Sequence, residues 1–319
     1  VYRAVQHDEN ELTEFGSFHI GICMELRTLR AFVEVVRQSG FSAAAKTLNA
    51  TQPTVSKAVK QLEDELGLPL LDRIGHRSQL TAAGEIAYRR ALALLAEREA
   101  LIAELDELRG LRRGSLRLGL PPLGASTLFA PLFAIYRARY PGVDIRLTEH
   151  GSARLEEMLH DGDLELAGSL LPAKDGFAAQ PVRLEPLMAV LPKAHPLAGA
   201  SHTALAALKA SPFVLFESGF ALNKVLEDAC ARNGFAPQVA ARSGQTDFIV
   251  ELVGAGLGIA FLPATIARQR ATPAVALVRL DEPGTQWHMA LVWRQGSYLS
   301  HAARAWLDLA REVYGPEGG

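Results

Sequence analysis

Apolar side chains recur at helical spacing from Glu25 onward: Leu26, Leu29, Phe32, Val33 and Val36 form one stripe that ends near Ser39-Gly40. A second short stripe, Phe41, Ala44, Ala45 and Leu48, follows, with Ser42 placed to cap a helix N-terminus. Asn49-Ala50-Thr51 is a tight polar turn. Thr51 ahead of Gln52-Pro53 supplies a cap hydroxyl and a first-turn proline whose missing N–H costs nothing. The helix opened there carries Val55, Val59, Leu62 and Leu66 on one face and stops at Gly67, a residue suited to the left-handed C-terminal position. Leu70-Leu71 and Leu80 then flank Gly75, the pattern of a short β-hairpin. From Thr81 to Arg109 there is no proline, and Ala87, Ala91, Leu94, Leu101, Leu105 and Leu108 follow a seven-residue seam broken once by Arg98. That spacing predicts one long helix with a partner along the seam. Packing on its own domain is the alternative, and the polar remaining faces favour a bridge between domains.

Past Gly110-Leu111-Arg112-Arg113-Gly114, which reads as a hinge, strands and helices alternate. Leu116–Leu120 is a strand, Ser126 caps a helix through Tyr140, Val143–Thr148 is a strand, a helix carries Leu155 and Leu159, and Leu164–Ala167 is the next strand. This βαβαβ order predicts a parallel sheet with helices on both faces. A second series begins at Leu187–Leu191. It continues with a helix Thr203–Leu208, strand Phe213–Phe216, helix Leu222–Asn233, strand Gln238–Ala241, helix Phe248–Val253, and strands Gly258–Leu262 and Val275–Leu280. A strand Trp287–Trp293 and a helix Ser300–Val313 close the chain. Two α/β lobes result, with crossings near Arg183–Pro186 and Glu282–Trp287, and the cleft between them is the default ligand site.

Composition excludes several classes. The 319 residues, 49% hydrophobic and 21% charged, fit two or three compact units of ordinary balance, neither disordered nor membrane-resident. No apolar run approaches the roughly 20 residues of a membrane helix. Cys23 and Cys230 are too few for a disulfide framework or a cysteine metal site, so a reducing cytoplasm is the expected setting. Met24 directly precedes the first convincing helix, which makes residues 1–23 an upstream or added extension in this reading.

Charge then sharpens the first hundred residues. The formal net charge of −2 means that any DNA contact must come from a local surface. Between Met24 and Ala83, eight Lys or Arg against six Asp or Glu leave only +2, so the charge is placed rather than abundant. The helix from Thr51 offers Gln52, Thr54, Ser56, Lys57 and Lys60, side chains that reach base edges and phosphates, and its N-terminal N–H groups favour an anion. Two helices joined by so short a turn form a helix-turn-helix, and Arg73, His76 and Arg77 around Gly75 form a basic wing. The alternative is an ordinary helical hairpin with a solvated polar face.

The stretch Gly40–Gly84 closely resembles the winged helix-turn-helix of the LysR-type transcriptional regulators, carried by Ser42-Ala43-Ala44-Ala45, Gln52-Pro53-Thr54-Val55-Ser56, Leu62-Glu63, Leu66-Gly67 and Leu80-Thr81-Ala82-Ala83-Gly84. Leu71 departs from the family's usual Phe, which touches packing under the wing. Leu116-Arg117-Leu118-Gly119, Tyr140-Pro141-Gly142-Val143, Leu164-Glu165-Leu166-Ala167, His195-Pro196-Leu197 and Gly256 to Pro263 resemble that family's effector domain, which is similar to periplasmic solute-binding proteins.

The resemblance implies an α+β multidomain chain. Residues 24–83 would form the DNA-binding domain, 84–114 the linker helix and hinge, and 115–315 the effector domain. Its first lobe would take about 115–186 and 287–315, and its second about 187–286. It also implies a sequence-specific regulator of promoter DNA, a homodimer through an antiparallel linker helix, assembly to a tetramer, and RNA polymerase as a further partner. Gln52, Pro53, Ser56 and Lys57 would then enter the major groove, with Thr54 and Lys60 beside them and Thr51, Arg73, His76 and Arg77 on phosphates.

For the cleft, loops at strand C-termini and helix N-termini nominate Leu123, Ser126 and Thr127, then Ser169 and Leu170, in the first lobe, and Ser218, Phe220 and Thr246 in the second. A small organic anion is the expected effector, and an inward Glu217 would argue against one. No nucleophile with a base, phosphate loop, metal spacing or cofactor motif appears. Gly254-Ala255-Gly256-Leu257-Gly258 follows a helix and enters a strand, the reverse of a dinucleotide turn. A solute-binding or sensor protein without DNA activity remains the rival class.

Overall fold

The computed structural model describes residues 24–74, 77–108 and 114–315. The 1–23 segment, the wing tip with His76 and most of the 110–114 hinge lie outside the described residues. The chain divides into two compact units, Val1–Arg98 and Glu99–Gly319.

The first unit opens with α1 (Leu26–Arg37), α2 (Phe41–Thr47) and α3 (Gln52–Leu66). Phe32, Val33 and Val35 of α1 meet Ala44 and Ala45 of α2 and Val55, Val59 and Leu62 of α3 in one core. Gly40, not Ser42, stands at the N-cap of α2, because the Ala44 N–H reaches the Gly40 carbonyl and Ser42 already lies in the first turn. Asn49 takes a positive φ of 50° in the α2–α3 turn. Thr51 caps α3 by accepting from the Thr54 N–H at 3.4 Å, and Gly67 ends the helix at φ 69°, where a glycine costs least.

Strands β1 (Leu71–Ile74) and β2 (Arg77–Leu80) pair antiparallel with Leu71 opposite Leu80. The Glu63 carboxylate of α3 accepts from the Leu70 and Leu71 N–H groups at 2.8 and 3.2 Å and pins the hairpin's first strand to α3. Thr81 donates to the Pro69 carbonyl at 2.7 Å and accepts from the Gly84 N–H at 2.9 Å, so one hydroxyl ties the wing base to the start of α4 (Ala82–Leu108). A Cβ on Gly84 would lie 2.0 Å from the Leu70 carbonyl oxygen, so only glycine fits.

The α4 seam divides in two. Ala91 and Leu92 are buried in the core of the first unit with Ala87 and Tyr88 packed beside them, and Tyr88 meets Phe32 edge-on at 6.4 Å. Ala87 and Ala91 therefore pack on their own domain and are not free for a partner helix. Leu94, Leu101 and Leu105 stay 45–55% exposed, joined by Ile102. The Leu108 side chain is outside the described set.

The second unit begins with β3 (Gly114–Leu120). The expected helix capped by Ser126 is instead a helical turn α5 (Pro122–Gly124), a π-helical turn Ala125–Phe129 and then α6 (Ala130–Arg139). Pro131, without an N–H, cannot make the regular bond back to Thr127, and the widened turn ahead of it accommodates the loss. Next come β4 (Val143–Glu149), α7 (Ser152–His160) and β5 (Leu166–Leu170). Gly168, Ser169 and Leu170 thus belong to the strand and not to a loop beyond it.

An edge strand that hydrophobic spacing missed, β6 (Phe177–Glu185), follows, and Pro186 leads to β7 (Leu187–Pro192) in the second lobe. There the expected helix Thr203–Leu208 is a two-residue strand β8 (His202–Thr203) and a 3-10 turn Leu205–Leu208. After β9 (Phe213–Phe216) come α8 (Ala221–Arg232), β10 (Val239–Ser243), α9 (Thr246–Gly254), β11 (Ala260–Pro263), a further unexpected helix α10 (Ala264–Arg270) and β12 (Val275–Leu280). The chain returns through β13 (Trp287–Arg294) and α11 (His301–Tyr314).

The first lobe is a five-stranded sheet in the order β4-β3-β5-β13-β6, with β3, β4 and β5 parallel and β13 antiparallel to both of its neighbours, β5 and β6. Tyr136 of α6 and Trp306 of α11 fill the space under it, and the Tyr136 hydroxyl donates to the Ala302 carbonyl at 2.8 Å. The second lobe holds β11-β7-β12-β8 beside the parallel pair β10-β9, and a bridge from Phe213 to Ile259 joins the two groups. At that join a Cβ on Gly258 would sit 2.4 Å from the Pro212 carbonyl, and Gly256 ends the α9 turn at φ 82°. Close packing and chain reversal account for the glycine run.

Candidate nucleic-acid interface and interlobe site

In the first unit, Thr51, Gln52, Pro53, Thr54 and Lys57 are exposed on the opening turns of α3, and Ser56 is half-buried. Val55 and Val59 turn inward between them, so the periodicity that buries the core also projects this polar face. Thr51 and Thr54 share a hydroxyl–hydroxyl bond of 2.8 Å, which orients both at the helix entrance. Lys60 pairs with Asp64 at 2.8 Å and is the most conditional of the candidates, since a phosphate would compete with that carboxylate. Arg73 and Arg77 lie on the two wing strands, where Arg73 stands opposite Ser78 and Arg77 opposite Ile74. Their side chains and His76 are outside the described set. Glu63 was missed as a positioning residue; its place in the Leu62-Glu63 motif was the available signal.

Within the second unit polar contacts join the lobes at three places. The Glu185 carboxylate, almost wholly buried at the first crossover, accepts from the Thr265 N–H at 2.8 Å and its hydroxyl at 2.7 Å. Thr127 donates to the Gln269 side-chain oxygen at 2.9 Å. The Ala153 N–H at the start of α7 donates to the Gly219 carbonyl at 3.2 Å. A Cβ on Gly151 would come within 2.9 Å of the same Gly219 oxygen, so this glycine permits the close approach between lobes, while Gly124, whose Cβ would lie 2.8 Å from the Trp287 ring, does the same inside the first lobe.

These contacts sort the predicted effector residues. Ser126 and Ser218 are exposed and Thr127 and Thr246 half-exposed; of these, Thr127 bonds across the junction and Ser218 adjoins Gly219, which does so too. Ser218 and Thr246 are not caps, because Phe220 and Gln245 occupy those positions. Phe220 is buried and stacks on Phe216 at 5.0 Å, an aromatic floor beneath the Gly219 turn. Leu123 and Leu170 belong to the buried core and serve packing instead of lining open space. Ser169 points to the opposite face of β5, where its hydroxyl donates to Glu156 of α7 at 2.8 Å, so the register of the strand removes it from the cleft.

A separate surface pocket of about 420 Å³ lies against α7, lined by Ala153, Arg154, Glu156, Glu157, His160, Asp161, Lys174 and Phe177. Its charges neutralise one another through Arg154–Glu157 at 2.8 Å and Lys174–Glu156 at 2.6 Å. Among the described residues no group of His, Cys, Asp and Glu is arranged to hold a metal ion, and no helix is long and apolar enough to cross a membrane.

Two family models match the chain in register with this architecture. One, described as a bacterial regulatory helix-turn-helix protein of the LysR family, covers residues 26–85. The other, the LysR substrate binding domain, covers 109–315. The chain belongs to the LysR family. It is accordingly a transcriptional regulator, not an enzyme, with a helix-turn-helix DNA-binding domain and an effector-binding domain, in a family that binds DNA and small molecules and forms oligomers. The uncharacterized HTH-type transcriptional regulator YwbI of Bacillus subtilis is 38% identical over 89% of this chain and 95% of its own. The RuBisCO operon transcriptional regulator of Allochromatium vinosum is 33% identical over 89% and 95%. Among solved structures, a full-length OxyR variant from Pseudomonas aeruginosa shares the fold with a TM-score of 0.69 at 22% identity, over 90% of this chain and 94% of that one.

Proposed function

We propose that this LysR-family regulator works in the cytoplasm as a dimer that reads promoter DNA with α3 and the wing, and that a small organic effector between the lobes sets its assembly on the promoter. The observation that carries this reading is the exposed row Gln52, Pro53, Thr54 and Lys57 on a helix whose N-terminus is capped by Thr51. Gln52, Pro53, Ser56 and Lys57 enter the major groove. Thr51, Arg73, His76 and Arg77 hold phosphates and fix register, with Thr54 and Lys60 at the margin. One copy with so little net charge binds weakly, and duplication along the exposed Leu94, Leu101 and Leu105 edge of α4 supplies the remaining affinity.

The effector is a small organic acid held from the first lobe by Ser126 and Thr127 and from the second by Ser218 and Thr246, above Phe220. It binds the two lobe arrangements unequally and so alters how dimers pair into tetramers, how far the promoter bends and how RNA polymerase is met. One relative is named a probable hydrogen peroxide-inducible genes activator of Streptomyces viridosporus. A peroxide-responsive thiol does not fit Cys230, which is fully buried and whose thiol is pushed up to about 11 by that burial, aided by Glu227 and Glu282.

Gel shifts on promoter DNA test the whole reading. Gln52→Ala should erode sequence preference, whereas Arg77→Ala should weaken all sequences alike and flatten the salt slope by about one phosphate. Equal loss on specific and random DNA from both changes would defeat the assignment of roles.

A further inference from the structure

Two helix N-termini beside the lobe junction are the places where a ligand carboxylate would ordinarily be sought. One is occupied and the other is flanked by carboxylates. At α7 the Ala153 N–H is already taken by the Gly219 carbonyl. At α9 the first turn carries Asp247, and the loop just before it faces Glu217: a Cβ on Gly244 would lie 3.4 Å from one Glu217 carboxylate oxygen and 3.7 Å from the other.

Glu217 follows β9 and Gly244 follows the adjacent parallel strand β10, so both stand at strand C-terminal ends, with Gly219 touching the first lobe two residues on. The Glu217 side chain is exposed, and among the described residues no cation or donor is bonded to its carboxylate. Arg242, on β10 next to it, spends its guanidinium on the Phe216 carbonyl at 3.1 Å and on Glu227 at 3.5 Å.

We infer that Glu217 is the specificity residue of the interlobe site and that it selects an effector with a protonated amino group, so that the organic acid is an amino-bearing one. The inference rests on the interlobe reading above. A ligand with only acidic groups would place its charge against the Glu217 carboxylate, and like charges repel. An ammonium there gains a charge-assisted bond with a carboxylate that has no internal competitor among the described residues.

The test is calorimetric titration of the full-length protein with pairs that differ only in an amino group: 3-aminopropionate against propionate, 5-aminopentanoate against pentanoate, and phenylalanine against 3-phenylpropionate. At least one amino member should bind about tenfold or more tightly than its partner, with Glu217→Gln reducing the gap to within about threefold. A panel in which no amino member outbinds its partner, or a preference that survives Glu217→Gln, overturns the inference. Ser126→Trp, in the first-lobe turn of the proposed site, should abolish binding. A Glu217-dependent amine preference that persists in Ser126→Trp would sink the interlobe placement while leaving the charge selection intact.

Discussion

The Ala153 N–H and the Gly219 carbonyl are joined at 3.2 Å, a backbone bond that links the start of α7 in one lobe to the turn after β9 in the other. Its geometry depends on the glycine at 151, because any side chain there would press on the same oxygen. Gly151→Val should therefore push the lobes apart and lower stability by about 1–3 kcal/mol, the usual cost of overpacking a closed contact. Thermal unfolding with and without effector measures both effects. An unchanged melting temperature together with an unchanged effector response would show that the contact has no part in the lobe equilibrium.

Glu63 holds the wing by two backbone bonds, and among the described residues no other α3 side chain reaches those amides. Glu63→Ala should cost about 1–3 kcal/mol in the head through two unsatisfied N–H groups. DNA affinity should fall with it while base preference, which belongs to Gln52, persists. Selection of binding sites from a random pool separates the two outcomes.

Gly84→Ala places a methyl 2.0 Å from the Leu70 carbonyl, a backbone atom that cannot swing away. Loss of the Thr81 cap bonds should follow, with a lower melting temperature and weaker DNA binding. Wild-type behaviour in both assays would contradict the tight joint between wing and linker.

Leu101 and Leu105 are exposed apolar residues one helical turn apart, and a second copy of the helix is the proposed cover. The double substitution Leu101→Glu and Leu105→Glu should shift the protein toward monomer in sedimentation velocity and raise the protein concentration needed to half-saturate promoter DNA. A mutant that sediments like wild type would rule out this edge as the dimer seam.

Cys230 is sealed within the packed face of α8. Its thiol is raised from its ordinary 9.0 to about 11 by burial first and by Glu227 and Glu282 next, so the neutral form is favoured on folding. The stability this contributes is complete below the ordinary thiol value and is lost as pH rises through the folded one. At neutral pH, peptide mapping after alkylation should find Cys230 unmodified in the folded protein and modified in urea. Rapid labelling in buffer would show that the helix opens.

By itself the sequence determined the element types that rest on local chemistry: the Thr51 cap, the Gly67 stop, the proline-free α4 and the parallel β3, β4 and β5 with their crossovers. These follow from spacing and from residues that impose a backbone conformation, signals that need no distant neighbour. Tertiary structure alone decided the strand limits and the facing of side chains. An edge strand such as β6 has one partner and a weak alternation, and β5 runs on to Leu170, three residues past its expected end, so Ser169 is a strand residue whose hydroxyl meets Glu156. The same dependence on distant packing divided the α4 seam, since Ala91 and Leu94 look alike in spacing and only the presence of α1 beside the first distinguishes them. It also set Glu217 against Gly244, a relation between two strand ends twenty-seven residues apart that neither local segment encodes.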